Sequence, residues 1–253
     1  MNAALDLSIL LPALAAGLLV TATHVPLGMQ VLARGIVFID LAIAQIAGCG
    51  VLLADAFGFE AEGIAVQVSA FAAALAGGLL LTWTEKVWPD VQEAVIGTTF
   101  VLGASGALLL LAANPHGAEH LKELLVGQIL WVSWPRLLPV ALIYALILAL
   151  WFGMRARLGR TGFYLLFAAV VTVSVQLVGL YLVFTTLIVP ALATHRIRRG
   201  RLVTAYGLGA CGYVLGLITS AAFDLPSGAV IVWAMALLAV PVFAWGARPS
   251  SRG

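Results

Sequence analysis

The stretch Gly35–Phe57, GIVFIDLAIAQIAGCGVLLADAF, decides the architecture of this chain. A helix of roughly 20 apolar residues crosses the hydrocarbon core of a bilayer. This segment is long enough, and Asp40 is its only charge before Asp55 near the far end. It opens just after Arg34 and closes before the polar cluster holding Glu60 and Glu62, so it reads as one membrane-spanning helix. Outward from it, the same length and character recur in Leu7–Leu27, Gly63–Thr84, Ala94–Ala113, Leu137–Met154, Phe163–Phe184, Leu202–Phe223 and Ser227–Trp245. Eight spans with short polar turns consume residues 1–253, a single all-α membrane helix bundle. One more apolar piece, TTLIVPALAT at Thr185–Thr194, is too short to span and is broken by Pro190. Unsatisfied backbone is costly in lipid, so this piece is expected to be a short helix buried among the others.

Composition excludes a water-soluble domain. Apolar residues make up 63% of the chain and charged residues 9%, against roughly 45–50% and about 25% in soluble domains. The mean hydropathy is +1.11. No room remains for a nucleotide-binding domain, and no GxxxxGK[ST] phosphate loop occurs. Any energy from ATP must therefore come from a partner. The net charge of +2 sums loops on opposite membrane faces; the lipid bilayer, not nucleic acid, is the expected surroundings. Cys49 and Cys211 lie in apolar runs and read as small packed side chains rather than a disulfide or metal pair. The N-terminus carries Asp6 and no basic region of a cleaved signal, so the first span is expected to be retained.

The Lys and Arg bias sets orientation. With the N-terminus outside and Thr185–Thr194 returning the chain inward, Arg34, Lys86, Arg155, Arg157, Arg160, Arg196, Arg198, Arg199, Arg201, Arg248 and Arg252 face the cytoplasm. Only Lys122 and Arg136 face out. The expected location is the inner (plasma) membrane, multi-pass, with the C-terminus cytoplasmic. Small residues cluster at Ala42/Ala44/Ala47/Gly48/Gly50, at Ala72–Ala76 with Gly77/Gly78, at Gly103/Gly106, and at Gly207/Gly209/Gly212/Gly216. They fit close helix packing within the chain, or a dimer seam.

Asp40 is the most informative single residue. An acid at membrane depth is costly and usually faces a bundle interior or a watery cavity. It either lines a cation path or bonds a neighbouring helix for structure. Arg34, six residues back, is a poor local partner on a helix; Gln45, five residues on, offers a neutral oxygen. In the outer loop, His116-x-x-Glu119-His120 spells the HxxEH zinc-protease signature. That chemistry needs a rigid helical face, and Pro115 and Gly117 argue for a turn. A solvated loop, metal capture at the outer mouth, or contact with a metal-delivering partner fit better. His24 reads as a satisfied polar group, Glu93 as an acid favoured in a first helical turn, and His195 with RIRRGR as a positive-inside anchor.

Several stretches together resemble the membrane subunit of zinc/manganese ATP-binding-cassette importers: LGMQVLARGIVFIDLAIAQIAG, EAVIGTTFVLGASGALLLL, HLKELLVGQILWVSW with Gly127, VTVSVQLVGLYLVFTTLIVPALA with Gly179 and Pro190, and FDLPSGAVIVW with Asp224, Pro226 and Gly228. Their order and spacing carry the resemblance from Leu27 to Trp245. It implies a type II importer-like fold and a homodimeric permease with alternating access. An external metal-binding protein would feed it and two cytoplasmic ATPase subunits would drive it. Zinc (or manganese) would be the transported ion, with no permanently bound cofactor. Asp40 matches the family's path-lining acid, whereas the histidine expected four residues on is Ala44 here. The family's longer cytoplasmic stretch after the fifth span, where its ATPase docks, is reduced to GMRARLGRTGF.

The resulting expectation is a divalent-metal permease with Asp40 and Gln45 on the path and His116, Glu119 and His120 toward the delivering protein. Manganese or iron could replace zinc. A stand-alone secondary carrier for a small solute and a membrane enzyme or scaffold are the competing classes.

Overall fold

Apolar runs with every backbone group bonded inside the segment fold as helices in lipid, and the described apolar runs of this chain do so. The structure, a computed structural model, describes residues 7–59, 63–111 and 129–246, and among them no strand occurs. The helices are α1 (Leu7–Arg34), α2 (Ile39–Ala56), α3 (Ile64–Val87) and α4 (Gln92–Leu111). A long helical run over Trp134–Val178 divides into α5 (Trp134–Met154) and α6 (Arg157–Val178). Then follow α7 (Leu180–Ala193), α8 (Arg201–Phe223) and α9 (Ser227–Gly246). All but α4 and α7 are long and apolar enough to cross a bilayer; α4 occupies the fourth expected span with 20 residues.

Close contacts at small residues fix the register. Tyr213 of α8 covers Gly17 of α1, and Thr21 faces Gly209, so these helices run antiparallel. Gly212 and Gly216 of α8 sit on Met235 and Ile231 of α9, again antiparallel. Ile46 of α2 fills the space over Gly77 of α3, and Ser69 donates to the Gly50 carbonyl at 2.7 Å. Gly78 of α3 lies against Tyr164 and Ala168 of α6. Without a hydrophobic drive between helices in lipid, such backbone approach and dispersion hold the bundle. Buried tyrosines add polar ties: Tyr144 bonds Ser174, and Tyr213 Oη lies 2.9 Å from Thr186 Oγ1.

Two breaks depart from the expected spans. Hydropathy carries the sixth span on to Phe184, but the helix ends at Val178 and a separate 14-residue α7 begins at Leu180. Gly179 makes the break, with φ 85° and ψ 160°, a conformation open essentially to glycine alone. Pro190 lies inside α7 rather than breaking it. Where α5 runs into α6 the chain stays helical apart from a kink at Gly159, in the first turn of α6 at φ 58°, so no separate docking helix stands there. The first span is also longer than expected, running through Pro26 to Arg34.

The antiparallel registers place the ends of α1, α3, α5, α7 and α9 on one side of the bundle. Arg34, Lys86, Arg157, Arg160, Arg196, Arg198, Arg199 and Arg201 gather there. There Glu85 Oε2 lies 3.9 Å from Arg34 Nη1 and 3.4 Å from Arg160 Nε. The Arg34 guanidinium stacks 4.3 Å from the Phe163 ring centre. Gln92 donates to the Leu81 carbonyl at 3.0 Å and to Tyr164 Oη at 3.3 Å, and accepts from Thr84 Oγ1 at 3.1 Å.

Candidate transport site

Asp40 stands in the first turn of α2 and is fully buried. Neither carboxyl oxygen has a hydrogen-bond partner in good geometry, and the donors that approach it are the backbone N–H groups of Leu41 and of Asp40 itself. Helical rotation of about 100° per residue puts Asp40 on one stripe with Ala44 and Ala47, all three buried. Gln45 and Cys49 instead point to α4: Gln45 packs over Gly103, and Cys49 Sγ donates to the Gly103 carbonyl at 3.2 Å. Gly50 and Ile46 point to α3. α2 also contacts α6 and α7, and Phe38 of its entry turn stacks on Phe184 of α7 at 6.2 Å. Asp40 and Gln45 thus share a helix but not a face, about 140° apart.

Glu93, expected to serve its own helix dipole, faces the backbone N–H groups of Phe38 and Val37 at the entry to α2. Helix N-termini leave such donors unsatisfied, and α2 has no side-chain cap of its own. His24 is fully buried in α1, with Nδ1 3.0 Å from the Val20 carbonyl and 3.1 Å from Thr23 Oγ1. Its Nε2 has no partner, so the satisfied state expected for it holds at one ring nitrogen only. Nothing in its sequence surroundings marked this.

His195 lies at the charged end, with Nδ1 2.8 Å from the Leu192 carbonyl and its ring 5.4 Å from Phe243. Cys49 and Cys211 are free thiols; Cys49 packs on α4, whereas Cys211 faces out of the bundle. The outer-mouth candidates His116, Glu119 and His120 lie outside the described residues. Among the described residues no three His, Cys, Asp or Glu side chains cluster as a metal cage. The site is an isolated buried acid in the first turn of α2.

A multi-pass bundle of apolar helices is the architecture of an integral membrane protein. The chain matches the ABC 3 transport family over residues 6–159 and 149–246 and belongs to it. It is 26% identical over 242 residues to an uncharacterized membrane protein of Synechocystis sp., covering 87% of this chain and 84% of that one. It is 25% identical over 216 residues to a Haemophilus influenzae protein named "Probable iron transport system membrane protein", covering 77% of this chain and 74% of the relative. PsaBC from Streptococcus pneumoniae, solved in complex with Fab, shares its fold with a TM-score of 0.71 at 22% identity, over 93% of this chain and 90% of that one. The fold of the chain is thus that of a solved ABC-transporter membrane subunit, and its family is the ABC 3 transport family. The chain is the permease, and ATP hydrolysis lies in a separate subunit.

Proposed function

We propose that this chain is the permease of an ATP-driven divalent-metal importer with zinc as its preferred ion. Two copies pair around a central path, an external metal-binding protein delivers the ion, and two cytoplasmic ATPases drive alternating access. ATP binding can open such a path only if the ATPases hold the two permease states differently. The cation-rich end of the bundle is the cytoplasmic end, with the N-terminus outside, because Lys and Arg accumulate on that side of a membrane. Arg198 and Arg199, exposed between α7 and α8, supply the contact surface for an ATPase that the shortened stretch after α5 does not.

One observation carries the reading: Asp40 is fully buried with both carboxyl oxygens unpartnered. Acids buried in membrane bundles commonly mark ion pathways, and a passing cation would supply the counter-charge that Asp40 lacks within the chain. His116, Glu119 and His120 then receive the ion at the outer mouth. Uptake of zinc by the permease–ATPase complex in proteoliposomes, with the external metal-binding protein supplied, tests this. Asp40→Ala and Asp40→Asn should each lose uptake at normal protein levels; wild-type rates in both remove Asp40 from the path.

Iron is the second reading, favoured by the name of the Haemophilus influenzae relative. Softer nitrogen ligands favour zinc and oxygen-only sites favour harder ions, so competition between zinc, manganese and iron in the same vesicles decides between them.

A further inference from the structure

At the charged end of the bundle the last turns of α7 and α9 do not close on each other. Val189, Leu192 and Ala193 of α7 and Ala239, Val240 and Phe243 of α9 line a groove of about 310 Å3 between them. Ligand-holding clefts measure roughly 300–1,000 Å3. Every side chain on the wall is apolar, and Ala193 and Ala239 leave room that larger residues would fill. Leu192 is 45% and Val240 65% exposed, so the groove is open to the outside of the chain.

One residue joins this groove to a cation. The Phe243 ring forms part of the wall, and the Arg196 guanidinium lies over it, 5.3 Å from its centre. The His195 ring packs on the same phenyl group at 5.4 Å. His195 Nδ1 is 2.8 Å from the Leu192 carbonyl; a carbonyl can only accept, so the ring proton sits on Nδ1. Nε2 is then an acceptor, and Arg196 Nε donates to it at 3.2 Å. The imidazole thereby holds the arginine in place. Arg196 spends its Nε on His195 and one face on Phe243, which leaves its two Nη groups. Among the described residues no carboxylate pairs with them.

A guanidinium fork takes a phosphate through two parallel hydrogen bonds, and an open apolar groove takes a hydrocarbon chain. Joined through one phenyl ring, the two describe an amphiphile with an anionic head. Free phosphate would leave the groove empty. A second copy in the same membrane would bring the same end, with Arg198 and Arg199 exposed on it, to the same depth, so like charges would meet. Basic pockets between membrane helices on the cytoplasmic side bind anionic headgroups. We infer that the groove between α7 and α9 holds an anionic phospholipid. One acyl chain lies against Val189, Val240 and Phe243, the phosphate sits on the Arg196 guanidinium, and His195 positions that arginine. The site stands apart from the importer reading; only its assignment to the cytoplasmic leaflet rests on the orientation proposed above.

The test titrates phosphatidylglycerol and phosphatidylcholine of identical chains onto the purified full chain in detergent and counts bound lipids by native mass spectrometry. The first phosphatidylglycerol should bind about fivefold more tightly than phosphatidylcholine, the preference that one arginine near a headgroup confers. Arg196→Gln should abolish that preference; its side chain is exposed, so the loss is readable even where a groove variant disturbs packing. Ala239→Leu, which fills the groove, should weaken both lipids. Arg160→Gln, a cation of the same end held by Glu85, should change neither. Equal affinity for the two lipids overturns the inference, as does a preference that survives Arg196→Gln or falls as far in Arg160→Gln. Glycerol phosphate, the head without chains, should not compete; displacement of the lipid by it makes the site one for free phosphate and overturns the lipid assignment. A changed oligomeric state in Ala239→Leu with lipid binding intact gives the groove to a second copy and does the same.

Discussion

A methyl group built on Gly28 would sit 1.9 Å from the Leu187 carbonyl oxygen, so α1 and α7 touch backbone to backbone at that point. The obstacle is main chain, which cannot rotate aside as a flexible side chain would. Both helices would have to move apart, opening the packed stripe that also carries His24. Gly28→Ala should therefore cost about 1–3 kcal/mol, the usual range for overpacking. Gly97→Ala is the control, since nothing lies within 4 Å of its added carbon; there alanine should be neutral, or stabilise by up to about 1 kcal/mol through helix propensity. Thermal unfolding of the two purified variants reads the difference, and equal melting temperatures would refute the close contact.

The spans were legible because hydropathy over roughly 20 residues is a strong signal. The charge bias likewise gathered at one end of the bundle as Arg34, Arg160 and Arg196 foretold. Hydropathy failed at Gly179, where VTVSVQLVGLYLVFTTLIVPALA runs apolar without a dip; the break is a backbone event signalled by one glycine. Pro190 looked the better breaker, yet a proline in a buried helix is tolerated when neighbours satisfy the freed carbonyl. Asp40 declared itself as a charge in an apolar run. Its separation from Gln45 follows from a five-residue spacing, which the helix turns onto different faces. His24 stayed hidden because no pattern tells whether the second nitrogen of a buried ring finds a partner.

Gly179 holds the junction of α6 and α7 at φ 85° and ψ 160°. A side chain there adds about 1–3 kcal/mol of backbone strain or forces the junction toward continuous helix. Either outcome displaces α7, which packs on α1 and contacts α2. Gly179→Ala should thus lower the melting temperature and reduce metal uptake together. Gly207→Ala, within α8 and with open space around it, should change neither. Retained uptake and stability in Gly179→Ala would mean that this conformation is not required.

At the charged end, Glu85 serves two cations of unequal exposure. Arg34 is 22% exposed and stacks on Phe163, Glu85 is 16% exposed, and Arg160 is 43% exposed. Exposed ion pairs contribute about 0–1 kcal/mol and are screened by salt, so Arg160→Ala should cost little, and less still in high salt. Glu85→Gln keeps the shape but leaves Arg34 half sunk without its anion, where an unsatisfied charged group costs about 1–3 kcal/mol. The ends of α1, α3 and α6 meet at this carboxylate, so its loss should loosen all three. The expected order of destabilisation is Glu85→Gln well above Arg160→Ala, with the larger loss insensitive to salt. A series of melts at low and high ionic strength measures it. If Arg160→Ala were the more damaging change, the carboxylate would be a surface pair rather than the tie that joins α1 to α3.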